Sequence, residues 1–243
     1  MTNRYDRQLK IKQIGIVGQK RLENSHILVV GVGGLGSFVS SELVKAGVGN
    51  ITLVDYDVVE ITNLHRQNLY TEEDVGIDKL VAMKSHLQKA NKDVTINTIN
   101  QQYSPDLLDT KYDLVIDCTD NFPVKYQINQ DCQERGINHI FGTCAANQGQ
   151  VMFIDPTSAC LECLYPKENI DKLGLSANIG TNPMIVALTG SLQASLAMKF
   201  LTSGKYDAGQ LLVLDNWTFD FRKIRVNKKS DCPIDHHNFE ERS

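Results

Sequence analysis

The sequence predicts an α/β protein: a mostly parallel sheet, helices on both of its faces, and an antiparallel hairpin added at the C-terminal end. Three observations predict it. Short apolar runs alternate with segments of helical periodicity through most of the chain. A glycine stretch, "GVGGLG", joins the first apolar run to the first helix, and "ITLVDYD" follows that helix as a second strand. The segment "GQLLVLDNWTFDFRKIRV" then switches to strand-like alternation.

The elements follow in order. Residues 26–31 form a short apolar run ending in Gly31 and read as a buried strand. Leu35, Phe38, Val39 and Leu43 recur at helical spacing, and "AGVGN" closes that helix with Gly47 and Gly49. Strand, glycine turn, helix and strand make a βαβ unit with a right-handed crossover, the opening of a Rossmann-like fold. A helix is expected over about Lys79 to Lys89, then the strand "VTINTI", then the buried strand "YDLVIDCTDN" with a polar end. Pro123 suits the first turn of the next helix and Gly136 stops it. "HIFGT" and "GQVMFID" are further strands. In the last segment two strands join near Asp215 and Asn216, with Trp217, Phe219 and Phe221 alternating with polar partners, as in a hairpin with one wet face.

The chain has 243 residues, 42% of them hydrophobic and 22% charged, which suits one domain over residues 1–243 with a substantial core. No repeat or low-complexity tract interrupts it. The net charge of −4 leaves no basic footprint for nucleic acid, and "RKIRVNKK" reads as a solvated strand end. The N-terminus, with Arg4, Asp6, Arg7, Lys10 and Lys12, is not a signal peptide. "MIVALTGSLQASLAMKFL" carries Thr189, Gln193 and Lys199 and reads as a buried or interface helix, with no membrane span. The six cysteines form no disulfide framework, and a reducing cytoplasm is the expected compartment.

Gly31, Gly33 and Gly36 allow a tight turn and close approach of phosphate to backbone amides, beside a helix N-terminus. Asp55 closes the second strand, where a carboxylate can take ribose hydroxyls. A nicotinamide enzyme has no evident need for Asn63, Arg66 and Gln67 directly afterwards. Arg66 offers a planar fork and Lys79 a point charge to phosphates. Asp120 ends a strand beside Asn121; near phosphates its carboxylate calls for a divalent cation, and it reads as a Mg2+ ligand. The competing readings are a surface ion pair for Lys79 and a helix N-cap for Asp120 or Asn121.

"RYDRQ", "GVGGLGS", "VDYDVVEITNLHRQ", "VGIDKL", "DCTDN" and "CLEC" occur here in the order found in ThiF/MoeB/HesA adenylyltransferases, bacterial relatives of ubiquitin-activating enzymes. The chain resembles that family from about Arg4 to Cys232. The resemblance implies attack by the C-terminal carboxylate of a small ubiquitin-like sulfur carrier, ending in Gly-Gly, on the α-phosphate of ATP. It also implies that Gly34 borders the nucleotide, that Asp55 holds the ribose, and that Asn63 and Arg66 contact nucleotide and phosphates. Lys79 would contact phosphate, Asp120 would bind Mg2+, and Arg7 would reach the partner's site across a homodimer. A terminal carboxylate is ionised at neutral pH, so no general base is required, and His65 is expected to be a loop side chain.

Two departures from the family stand out. Cys160 and Cys163 form half of its zinc site, but the second half reads "CPIDHH": Cys232 is present, and the fourth ligand would be Asp235 or His236. The loop "DKLGLSANIGTNP", where many relatives carry a cysteine, has none, with Leu175 or Ser176 near the position. The chain is therefore expected to stop at the adenylate, a separate protein delivering sulfur. No rhodanese-like extension follows, so no sulfurtransferase of its own is expected. Cys118, Cys132 and Cys144 read as small buried residues. Two other functions compete. An NAD-dependent oxidoreductase would leave Arg66, Lys79 and Asp120 unexplained. A non-catalytic carrier-binding pseudo-enzyme sits poorly with phosphate-handling positions that are all filled.

Overall fold

The computed structural model describes residues 4–168 and 179–234. Two short helices, α1 (Asp6–Leu9) and α2 (Gly15–Glu23), precede β1 (His26–Val30), α3 (Gly34–Ala46) and β2 (Asn50–Asp55). There follow α4 (Lys79–Ala90), β3 (Thr95–Asn100), β4 (Leu114–Asp117), α5 (Phe122–Arg135), β5 (His139–Ala145) and β6 (Gln148–Ile154). After them come α6 (Leu161–Leu164), α7 (Pro183–Ser203), β7 (Gln210–Asp215) and β8 (Asp220–Arg225).

Among the described residues eight strands form one sheet in the order β3-β2-β1-β4-β5-β6-β7-β8. The first five are parallel, and β6, β7 and β8 each pair antiparallel with the strand before them. The antiparallel part therefore begins at β6, ahead of the expected hairpin. Alternation along β1 assigns its two faces: Ile27 and Val29 enter one core cluster, Leu28 and Val30 another. The first cluster lies under α3, α4 and α7, the second under α5. Both faces are covered over β1, β2 and β4, which is why those strands read as continuous apolar runs, whereas the edge strand β3 is mostly exposed.

Helix ends follow the punctuation in the sequence. Gly47 closes α3 at φ +95 and Gly136 closes α5 at φ +70, a left-handed region that favours glycine. Asp78 starts α4 by accepting from Leu80 N and Val81 N. Helix α7 is long and apolar enough to cross a membrane by length and composition. It packs on α3, β5 and β6, with Thr189 and Gln193 fully buried.

The hairpin departs from expectation. Asp215 Oδ1 accepts from Trp217 N (2.9 Å) and Thr218 N (3.1 Å), so the turn starts there and takes in Trp217 and Phe219, the latter at φ +58. Strand β8 is exposed at every position, so both of its faces are wet.

Candidate active site

The strand order reverses between β1 and β4, and in open α/β sheets ligands bind in the crevice at the carboxyl ends of such strands. The glycine turn lies across that point. Gly31 N donates to Val54 O (2.8 Å), and Cys118 N to Val30 O (2.9 Å). Gly31 has φ +87, and a Cβ on it would stand 2.8 Å from Cys118 O. A Cβ on Gly36 would overlap Gly31 O, so this glycine sets how closely α3 meets the turn. Gly33 stays open, a Cβ there meeting only Gln67 Nε2 at 3.4 Å, while Gly34 packs on Val186. The first turn of α3 leaves amides without intrahelical partners beside the crevice, and these suit phosphate.

Asp55 is fixed by the same turn. Its Oδ2 accepts from Val32 N (2.8 Å), and its Oδ1 from Tyr56 N (2.8 Å) and Asp57 N (3.0 Å). Lys79 starts α4 and pairs with Asp57 Oδ2 at 2.8 Å; the lysine is nearly buried and the aspartate half-exposed. Tyr70 joins the two halves: its hydroxyl donates to Val32 O (2.9 Å) and lies 3.4 Å from Lys79 O. Burial, then the Asp55 charge, pushes the Tyr70 phenol well above its usual range, so it stays protonated and can donate. Asp57 and Tyr70 both lie inside or next to the motif, yet spacing alone gave neither a role.

The loop between β2 and α4 begins with a short 3-10 turn, Ile61–Asn63. Asn63 is buried and its Oδ1 accepts from Glu60 N (3.1 Å), which fixes the loop's entry. His65 lies on the surface with Nδ1 3.0 Å from Thr62 O. The Arg66 guanidinium donates to Thr62 O (3.0 Å) and partly offsets the rise that burial gives the Cys144 thiol on β5. Gln67 is buried against the glycine turn.

At the end of β4, Asp120 is exposed and Asn121 Nδ2 lies 3.4 Å from its Oδ1. Asn121 caps α5, its Oδ1 accepting from Val124 N (3.1 Å). Beneath them is an ion pair that the sequence reading missed: Lys125 and Asp117, 1% and 2% exposed, with Nζ 3.3 Å from the carboxylate. One signal was available. Lys125 shares helical spacing with the buried Ile128, Asn129 and Cys132.

Arg7 stands elsewhere. Helix α1 packs at the far end of α3, where Gln8 Nε2 donates to Ala46 O (3.0 Å). The 13 residues of α3 separate that end from the glycine turn, a distance of about 18 Å. Arg7 is exposed there, away from its own chain's crevice.

The sulfurs of Cys160, Cys163 and Cys232 lie within 4.8 Å of one another, and Cys160 Sγ is 3.7 Å from Cys232 Sγ. Thiolates at a tetrahedral Zn2+ stand about 3.8 Å apart, from a Zn–S bond of about 2.3 Å. The set fits zinc. Asp235 and His236 lie outside the described residues, as do Leu175 and Ser176. Cys118 and Cys132 are buried with thiols pushed up by desolvation, and Cys144 is raised to about 11 by burial despite Lys125 and Arg66.

Comparison with known proteins agrees with this geometry. The model of the ThiF family matches residues 5–234. A sulfur carrier protein adenylyltransferase of Thermus thermophilus is 39% identical across 96% of this chain and 90% of its own length. A molybdopterin-synthase adenylyltransferase of Escherichia coli is 32% identical across 95% of each chain. The crystal structure of E. coli MccB with ATP superposes with a TM-score of 0.85 over 96% of this chain and 74% of that one; at 22% identity this speaks for the fold. With its glycine turn, Asp55 and the "NLHRQ" loop at one switch point, and the family model matched along nearly its whole length, the chain belongs to the ThiF family.

Proposed function

We propose that residues 1–243 act as one adenylyltransferase domain. It joins AMP to the C-terminal glycine carboxylate of a small ubiquitin-like sulfur carrier of the ThiS or MoaD kind, in thiamine or molybdopterin synthesis. The observation that carries this reading is the meeting of the Gly31 turn, Asp55 and the Lys79 helix start at the switch point, with Asp120 at the next strand end. Relatives named as adenylyltransferases support it. An oxidoreductase reading would leave Arg66, Lys79 and Asp120 without work.

A carboxylate oxygen of the carrier attacks the α-phosphorus, the bond to the bridging oxygen breaks, and pyrophosphate leaves with the electron pair. The terminal carboxyl has a reference pKa of about 3.5 and arrives ionised, so the chain need move no proton. His65 accordingly takes none. What the chain supplies is alignment and neutralisation of charge. Amides from Gly33 onward, at the start of α3, cradle phosphates, and Asp55 takes the ribose. Asn63 and Gln67 hold the loop that carries Arg66, whose fork meets phosphate oxygens. Lys79 keeps donors for phosphate while Asp57 takes one. Asp120, an exposed carboxylate, is the hard oxygen donor that Mg2+ prefers, with Asn121 orienting it. When bound, Mg2+ would draw charge from the reacting phosphates and from pyrophosphate.

Arg7 completes the site of a second copy in a homodimer, which its distance from its own crevice supports. Cys160, Cys163 and Cys232 hold a structural Zn2+ with a fourth ligand from Asp235 or His236, a clip with no part in the chemistry. The "DKLGLSANIGTNP" loop has no cysteine, so sulfur comes from another protein. Six cysteines with no disulfide among the described residues suit a cytoplasmic enzyme.

The deciding experiment is carrier-dependent ATP–pyrophosphate exchange, run with candidate carriers ending in Gly-Gly. Exchange with one carrier is expected and would name the pathway. No exchange with any carrier, together with thermal protection by NAD and none by ATP with Mg2+, would overturn the reading.

A further inference from the structure

The buried pair under the crevice is costly for a fold that could use apolar side chains there, since a buried charge must recover its lost hydration through its partners. Lys125 recovers it in a telling way. Its Nζ lies 3.3 Å from both oxygens of Asp117 and donates to Gly142 O at 2.7 Å, so it ties the end of β4 to β5. Asp117 then holds the chain that follows it. Its Oδ1 accepts from Thr119 N (3.0 Å) and Thr119 Oγ1 (2.7 Å). Its carbonyl accepts from Gln193 Nε2 of α7 (2.8 Å). Cys118, between them, donates to Val30 O and abuts Gly31. Asp120, exposed at the mouth, follows Thr119.

We infer that Lys125 is a positioning residue: through Asp117 and Thr119 it sets the turn that presents the Asp120 carboxylate to the nucleotide-bound cation. The inference rests on the reading of Asp120 as the Mg2+ ligand. Partners one step behind a metal ligand typically contribute 10- to 100-fold to metal affinity. Lys125 would act at that remove, with a charge that no solvent screens.

The test measures ATP affinity by calorimetry, in saturating Mg2+ and in EDTA, and takes the ratio of the two dissociation constants. That ratio reports how far the cation tightens the nucleotide, and a merely structural residue would weaken both values alike. Lys125→Met should cut the ratio about ten-fold. Thr119→Val removes one link at a half-buried position and should cut it in the same sense, which keeps the test alive if Lys125→Met fails to fold. Lys125→Arg keeps the charge and should restore most of the ratio. An unchanged ratio in folded Lys125→Met, or in Thr119→Val where the former does not fold, overturns the inference. Asp120→Asn separates the two layers. If it lowers the ratio while Lys125→Met and Thr119→Val do not, only the role of Lys125 falls. If Asp120→Asn leaves the ratio at the wild-type value, the metal reading falls and takes this inference with it.

Discussion

His139 offers a quantitative check on the core. It lies on β5, facing Val115 of β4 and Ile154 of β6, 1% exposed, with Nδ1 lacking a hydrogen-bond partner among the described residues. Burial pushes its imidazole down from 6.5 to about 3. The folded pKa is the lower one, so the unfolded chain takes up the proton first. Stability is full above 6.5 and is lost as pH falls towards 3. At pH 5 the unfolded chain is protonated at this site and the folded one is not, a gap of about 1.5 pH units and about 2 kcal/mol at about 1.36 kcal/mol per unit. The assay is urea denaturation at pH 7 and pH 5 for the wild type and His139→Leu, which removes the titrating ring. His26 is lowered in the same direction, mainly by desolvation, but it titrates in both proteins and cancels. Asp74, lowered from 3.8, acts below the window. The wild type should lose about 2 kcal/mol more than the variant between the two pH values. A difference under about 0.5 kcal/mol would show that the ring reaches solvent or gains a partner, and the reasoning would fail.

Gly36→Ala places a Cβ onto Gly31 O and should cost about 1–3 kcal/mol by overpacking; thermal melts should also show loss of protection by ATP with Mg2+. Arg66→Ala should abolish pyrophosphate exchange with the fold intact by circular dichroism, and Arg7→Ala should cripple it. Mixing those two proteins should restore some activity, and its absence after confirmed subunit exchange would exclude a site shared between copies. Metal analysis should find one zinc per chain, lost in Cys163→Ser with a lower melting temperature; an unchanged zinc content would show that the thiol cluster is not the ligand set.

The parts legible in the sequence are those where local chemistry dictates structure. Gly31, Gly47 and Gly136 sit at positive φ, Pro123 and Asn121 open α5, and apolar runs mark strands covered on both faces. Helices α1 and α2 gave no such signal: α2 turns Ile16 and Val17 to solvent, so its apolar residues make no buried stripe. Within the site, Asp55 and the loop after it were legible from their order. The link from Val32 through Tyr70 to Lys79 was not, because it closes only when α4 folds back on the glycine turn. Lys125 and Asp117 stand only eight positions apart, but their burial depends on Gly142 and Gln193 from distant segments. In the hairpin the turn starts at Asp215, as expected, but it takes in Trp217 and Phe219, which alternation of apolar and polar residues cannot register.

Strand β8 ends the sheet, and among the described residues its outer rim has no neighbour. Such a rim is a template on which further chains can stack into fibres. Arg222, Lys223 and Arg225 occupy three of its six positions; although Arg222 pairs with Asp220 and Lys223 lies near Asp207, charged side chains on an edge oppose such stacking. Neutralising those cations, with the aromatic tip of Trp217 and Phe219 left in place, is expected to favour end-to-end stacking of copies along that rim.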